Sequence, residues 1–379
     1  MNKRERRMIR NSCLAAVPLL FLSGAAEAIT LYEEKGTTLD FSGSIRLMFE
    51  NAKKTDAGQN STHIKDESSR FGIGISHQID SDLRGFGYLE FGNDTQSAEN
   101  KFKLGNRQAY VGLARRSLGD IAIGRVLSPF DKVARSDYTY EYGGVLDFGD
   151  RYIGRSTGSS DDGKNDFIGR VSNSVRMMSA EFAGFSAGAT YTLQNGDEVN
   201  EINNAYTLAA FFRQANLRLA AGYGAAEGNG ERAKKPQNYM DSKERVKAIK
   251  EEIWGIGAEY TLADLDLSLA VDYGRLRIKN GNQRSGDAYK KVNGTPKAEL
   301  LGLGANWDWG RGNLYGGYYR KAGNHDANNW REQRYVIGAD YELTKKVVTW
   351  VELAHEDQRA DQYDKVTDRL LGLGLRIYF

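Results

Sequence analysis

The sequence predicts an all-β protein, a transmembrane antiparallel β-barrel of about 16 strands, a size that leaves an aqueous lumen. Three observations predict it. An export-type leader opens the chain. Segment after segment alternates apolar and polar residues with a period of two. The chain then stops on an alternating strand whose last residue is Phe379.

The leader comes first. Lys3, Arg4, Arg6, Arg7 and Arg10 form a basic start, an apolar run extends from Cys13 to Leu22, and Ala26-Glu27-Ala28 supplies small residues around a cleavage point. This is the layout of a secretory signal peptide. The apolar run falls short of the roughly 20 residues a membrane-spanning helix needs. Residues 1–28 are therefore expected to be a cleaved signal peptide and 29–379 the barrel domain. Arg6-Arg7 lacks a fuller twin-arginine motif and counts as ordinary leader charge. Cleavage takes five basic residues and two acids from totals of 52 and 50, leaving 47 and 48, a net charge of −1. That balance gives no basic footprint for nucleic acid. Cys13, the only cysteine, leaves with the leader, so the mature chain has no disulfide and no thiol chemistry.

The alternation then defines the strands. Leu265, Leu267, Leu269, Val271 and Tyr273 share one face, with Asp266, Ser268, Ala270 and Asp272 on the other. Leu301, Leu303, Ala305, Trp307 and Trp309 repeat the pattern against Gly302, Gly304, Asn306 and Asp308. Trp254–Leu262 and Tyr335–Tyr341 do the same. Period two marks strands with unlike faces, and aromatics near the ends of the apolar face fit interfacial girdles. Strands are expected over 38–50, 68–79, 84–94, 102–115, 119–127, 166–182, 185–194, 204–214, 216–226, 251–263, 265–278, 298–309, 313–321, 332–343, 347–357 and 367–379. Tight turns join some of them, for example at 80–82, 263–264, 310–312 and 344–346. Long polar stretches near 51–67, 127–165, 227–250, 279–297 and 357–366 join others. Short turns at one end and long loops at the other is the layout of a bacterial barrel. Pro129, Pro236 and Pro296 all fall in the long stretches, as residues that cannot donate to a strand ladder should. Gly72, Gly74, Gly302, Gly304, Gly372 and Gly374 lie on the polar face, where they are expected to leave the inner wall open.

At the end, Leu371, Leu373, Leu375, Ile377 and Phe379 alternate with Gly372, Gly374, Arg376 and Tyr378. A terminal strand of this kind resembles the signal that barrel-assembly machinery reads.

The chain as a whole, and most specifically Ser69 to Tyr191, resembles the general trimeric porins of Gram-negative outer membranes. In that family a long third loop folds into the lumen and narrows it. Ser136-Asp137-Tyr138-Thr139-Tyr140-Glu141-Tyr142-Gly143-Gly144 resembles that loop's acidic tip, with Tyr140 where many members have Pro. The resemblance implies a pore constriction in which Asp137 and Glu141 face a row of wall arginines. Arg70 of Ser-Arg-Phe-Gly, Arg107 of Gly-Asn-Arg-Gln-Ala-Tyr-Val-Gly-Leu and Arg170 of Ile-Gly-Arg-Val match that row. Arg125 of Ile-Gly-Arg resembles a neighbouring basic position. The family's first-strand lysine is replaced by Ser44, with Arg46 two residues on. The resemblance also implies a homotrimer in outer-membrane lipid and lipopolysaccharide, assembled through the strand ending in Phe379, and passive diffusion of ions and small hydrophilic solutes.

The residues support this without the family. Phe71, Ile73 and Ile75 point one way, so Arg70 points to the lumen, because an arginine at the lipid midplane costs about 2–4 kcal/mol. The plainer reading of the arginines is solvated wall, and of Asp137 and Glu141 a polar surface loop. A close alternative function is a substrate-preferring channel for sugars or anionic oligosaccharides, which a stacking track of lumen aromatics would favour; Tyr315 and Tyr319 are candidate members, but two tyrosines do not make a track. No enzyme, cofactor or metal is expected. Asp161–Asp166 lacks calcium-loop spacing. His63, His77, His325 and His355 are scattered, and Leu301-Gly302-Leu303-Gly304 precedes no helix. A barrel lipase would need a nucleophile and base on the outer wall, and a soluble exported binding protein would be recovered from the periplasm.

Overall fold

The computed structural model describes residues 28–54, 59–93, 104–145, 166–194, 202–228, 249–279, 297–325, 328–361 and 363–379. Residues 1–27 of the expected leader, Pro236, Pro296 and residues 161–165 lie outside them.

The strands are β1 (Ile29–Glu34), β2 (Thr37–Lys54), β3 (Gln59–Asp66), β4 (Arg70–Gln78), β5 (Leu83–Asn93), β6 (Leu104–Arg115), β7 (Gly119–Leu127), β8 (Arg170–Ser179), β9 (Phe185–Thr192), β10 (Ile202–Gln214), β11 (Leu217–Gly228), β12 (Ile249–Leu262), β13 (Leu267–Lys279), β14 (Lys297–Asp308), β15 (Asn313–His325), β16 (Asn328–Thr344), β17 (Val347–Ala360) and β18 (Tyr363–Tyr378). These eighteen segments form one antiparallel sheet that closes as a 16-strand barrel. Two positions are shared. β3 and β4 run end to end along β2, and β1 continues the line of β18. β18 pairs with β2, Arg376 opposite Arg46, and shuts the ring. Phe379 seals that seam. Its N–H and C=O bond to Gly43 at 3.0 and 2.8 Å, and its ring stacks on Phe41 at 5.4 Å.

The polarity is inverted relative to a soluble protein. On β13 Leu269 and Val271 are exposed while Asp272 is 1% exposed, and on β17 Leu353 is 53% exposed while Glu352 is fully buried. Apolar side chains face out towards lipid and polar ones face in. Tight turns use the backbone the hairpin demands. Lys35-Gly36 and Ala183-Gly184 each place two successive residues at positive φ, the conformation that matches strand twist in two-residue hairpins.

Two expected loops turn out to be strand. In the 51–67 stretch β2 runs on to Lys54 and β3 pairs with it, Phe49 opposite Ile64. In the 357–366 stretch β17 extends to Ala360 and β18 begins at Tyr363. The reason is solvation. Above the bilayer both faces of a strand meet water, so Gln59–Asp66 carries polar residues in succession and loses its period-two signature.

The apolar core lies inside the barrel. Phe130, Val133, Tyr142, Val145, Phe167 and Ile168 are buried against inward residues such as Ala205, Ala220, Ile253 and Leu300.

Candidate functional site

Segment 128–145 is bonded in turn to residues of β10, β13, β15, β16, β17, β18 and β2. A short 3-10 turn, Pro129–Lys132, starts it, with the Ser128 hydroxyl accepting from the Phe130 N–H. Ser128 Oγ is 2.8 Å from Thr207 Oγ1 on β10. On β13, Asp272 accepts the N–H groups of Arg135 and Ser136, each at 2.8 Å, and the Ser136 hydroxyl at 2.6 Å. On β15 the Tyr319 hydroxyl donates to the Ser136 carbonyl at 3.2 Å. On β17 Glu352 accepts three consecutive N–H groups, those of Tyr140, Glu141 and Tyr142, and the Tyr315 hydroxyl. Arg334 of β16 and Arg376 of β18 donate to the carbonyls of Tyr142 and Tyr140 at 3.1 and 3.0 Å. The Arg376 guanidinium also lies 4.2 Å from the Tyr140 ring centre, and Tyr140 stacks on Trp350 at 5.4 Å. Tyr142 reaches Glu50 of β2 at 2.9 Å. Burial, reinforced by Glu50, holds the Tyr142 phenol well above its ordinary range, so it stays a donor. A buried backbone without partners would cost about 1–3 kcal/mol per group. Buried carboxylates on the wall supply those partners.

The inward glycines are corrected by this arrangement. Five of the six expected lumen glycines, Gly72, Gly302, Gly304, Gly372 and Gly374, do not leave the wall open, because other groups fill the space beside them. A Cβ on Gly222 would meet Phe130 and Val133 at 2.7 Å. On Gly302 it would lie 2.3 Å from Ser136 Oγ, and on Gly304 2.0 Å from the Ser136 carbonyl. On Gly374 it would strike the Trp350 ring at 2.1 Å, and on Gly72 the Tyr88 hydroxyl at 2.4 Å. Glycine is used here for close approach of other groups.

The arginines occupy the remaining arc, β2 to β8. Arg107 comes inward through a bulge, since Glu90 pairs with Gln108 and Phe91 with Asn106, leaving Arg107 as the extra residue. Its Nε donates to Glu90 Oε1 at 2.8 Å and it is 3% exposed. Arg70 lies within electrostatic reach of Arg46, Arg107 and Arg170, and Glu90 is the counter-charge that all four share. Ser44 takes the Arg46 Nε–H at 2.7 Å and so orients it. Arg70 donates to the Ser68 carbonyl at 3.1 Å. Arg125, at a second bulge in β7, is spent on the wall. It bonds the carbonyls of Asn106 and Arg107 and the Ser172 hydroxyl, each at 3.0 Å.

Asp137 and Glu141 are both exposed, and the Tyr319 hydroxyl of β15 also reaches Asp137 Oδ1 at 3.5 Å. Asp137 accepts from Thr139 at 2.8 and 3.0 Å. Glu141 pairs with Lys65 of β3 at 2.9 Å, and Lys65 also bonds Glu50 at 2.8 Å. Lys65, Glu90, Asp272, Arg334, Glu352 and Arg376 are not singled out by sequence; Lys65 lies in a stretch without alternation, and for the others alternation gives the polar face but not which polar residues meet a remote segment. Tyr315 and Tyr319 are each 3% exposed, and their hydroxyls bind Glu352 and Ser136. They fasten the segment and offer no stacking track.

Barrel, inverted polarity and inward charge together define a pore-type protein of the Gram-negative outer membrane. The chain belongs to the Gram-negative porin family, whose sequence profile matches residues 13–361. It is 26% identical over 372 residues to the major outer membrane protein of Pasteurella multocida (strain Pm70), covering 94% of this chain and 95% of that one. It is 26% identical to the Escherichia coli outer membrane protein YedS over 273 residues, 71% of this chain and 70% of that. Among solved structures, the anion-selective porin from Comamonas acidovorans superposes with a TM-score of 0.71 at 16% identity, covering 90% of this chain and all of that one. Salmonella typhi OmpF, in complex with daunomycin, gives 0.66 at 18% identity, with 93% and 100% covered. These likenesses support the barrel fold, and the family places the chain in the outer membrane as a channel protein.

Proposed function

We propose that the protein is a passive, water-filled channel for ions and small hydrophilic solutes, narrowed by segment 128–145 as a third loop folded into the lumen. One observation carries this reading. The segment is fastened to the wall from β10 round to β2, while Arg46, Arg70, Arg107 and Arg170 line β2 to β8. The same segment carries the exposed acids Asp137 and Glu141. Fixed charges of opposite sign on two sides of a gap set a transverse field. Guanidiniums hold their charge at any working pH, and rows of charged side chains are a recurrent selectivity device in pores. Such a field orients dipolar solutes and disfavours apolar ones. Arg125 serves this constriction indirectly, by anchoring the Arg107 backbone.

Transport of this kind needs no catalysis, and we propose no enzymatic role. We also propose export through cleavage after Ala28, assembly through the strand ending at Phe379, and a homotrimer. Reversal potentials in a salt gradient across a planar bilayer test the constriction. Asp137→Asn with Glu141→Gln is expected to shift ion preference towards anions. Reversal potentials identical to those of the unaltered protein would overturn the field.

A further inference from the structure

β3 lies in a stretch without alternation, yet it brings a cation onto segment 128–145. On β2 the inward residues Arg46, Met48 and Glu50 follow at two-residue spacing and are buried. β3 pairs with β2 there, Lys65 opposite Met48 and His63 opposite Glu50. Ile64 between them is 71% exposed on the outward face. Successive side chains of a strand point to opposite faces, so Lys65 and His63 point inward. Lys65 Nζ reaches two carboxylates at once, Glu50 at 2.8 Å and Glu141 of the segment at 2.9 Å. The Tyr142 hydroxyl donates to the same Glu50 oxygen, Oε2, at 2.9 Å. His63 Nε2 lies 3.4 Å from the other oxygen. Among the described residues Lys65 is the one cation within ion-pair distance of Glu141. The Lys65 and Glu141 side chains are 26% and 28% exposed, so the pair stays open to the lumen.

We propose that Lys65 is a selectivity-determining residue of the channel, which cancels one of the two negative charges that Glu50 and Glu141 present to a passing ion. It acts on the transverse field proposed for segment 128–145 and rests on that reading. A lysine ammonium is a compact point charge with three rotatable donors, so one residue serves both acids. One net negative charge stands where two would stand without it. Fixed charge at a narrowing decides which ions enter, and Lys65 thereby holds back the preference for cations that the two acids would impose. The residue comes from β3 and not from the arginine row, so its contribution can be removed with Arg46, Arg70, Arg107 and Arg170 left in place.

The test reads reversal potentials of the full barrel in a planar bilayer, in potassium chloride gradients at low and at molar salt. Lys65→Gln is expected to raise the cation-to-anion permeability ratio about fivefold at low salt, the scale of one unit charge acting over a few ångströms of water. In molar salt the shift should nearly vanish, because the screening length falls to about 3 Å. Lys65→Arg keeps the charge and should keep the ratio. Lys65→Gln combined with Glu141→Gln restores the net charge of the cluster and should return the ratio to that of the unaltered chain. An unchanged ratio in Lys65→Gln, beside a shift in Asp137→Asn with Glu141→Gln, would overturn the role of Lys65 and leave the constriction standing. No shift in either variant would overturn both. A shift in Lys65→Gln of equal size at low and molar salt would also overturn the role, by assigning the change to a displaced segment and not to the charge.

Discussion

Asp272 grips Ser136 twice, accepting its backbone N–H at 2.8 Å and its hydroxyl at 2.6 Å through the same oxygen, Oδ2, although 136 residues separate them. Asp272 is 1% exposed, so water cannot take its place. Asp272→Ala strands the Ser136 and Arg135 N–H groups and is expected to cost about 1–3 kcal/mol per orphaned donor. Thermal unfolding in detergent should show the loss, and single-channel traces should become noisier as the segment loosens. Asp272→Asn keeps an acceptor oxygen and should lose less.

The glycine bed gives a sharper probe of the same packing. Gly304→Ala places a Cβ 2.0 Å from the Ser136 carbonyl, a backbone atom that cannot rotate away. The segment must lift, and open-channel conductance is expected to change. Gly85→Ala is the matched control, because its Cβ would meet nothing closer than 3.9 Å. Glycine in a strand interior costs roughly 0.5–1 kcal/mol relative to alanine. The control should therefore be neutral or slightly stabilised, with unchanged conductance.

The wall arginines should separate by their partners. Arg70 donates to a carbonyl through Nε, and its removal leaves no carboxylate orphaned. Arg70→Gln is expected to shift ion preference towards cations with little change in stability. Arg107 is buried against Glu90 at 2.8 Å. Removing one partner of a buried pair is costly, about 3–5 kcal/mol, so Arg107→Gln should lower stability as well as shift selectivity. Reversal potentials and denaturant midpoints on both variants check the contrast.

How much of this was legible in the sequence follows from what alternation encodes. Leu265–Tyr273 announces a strand and its two faces because lipid and lumen select opposite residues at every second position. The strand count near sixteen, the closing strand ending at Phe379 and the inward direction of Arg70 follow from that, whereas Arg107 turns inward only through its bulge, which alternation does not announce. The same signal fades where β3 and the ends of β17 and β18 stand in water on both sides. It is also silent on partners. Glu352 reads as one polar-face acid among many, and only the folded chain brings Tyr140, Glu141 and Tyr142 onto it. Gly302 and Gly304 were visible as lumen glycines. Their purpose was not, because the atom they make room for belongs to Ser136, far away in the chain.

The turn after β4 offers a pH test away from the membrane. Asp80 Oδ1 accepts the N–H groups of Asp82 and Leu83, each at 2.8 Å. These bonds, that of Asp82 foremost, hold its carboxyl below the ordinary range. A carboxyl with a depressed folded pKa contributes stability that is complete above its unfolded value, near 3.9, and is lost as pH falls through the lower folded value. Protonation removes the charge that favours both donors. Hydrogen exchange at the Asp82 and Leu83 amides, corrected for intrinsic rate, should therefore lose protection only below about pH 4. Asp80→Asn keeps an acceptor without a titrating charge. Its protection at neutral pH should be lower than that of the unaltered chain, and it should not vary across the acid range. An acid-induced loss persisting in Asp80→Asn would assign the effect to another group.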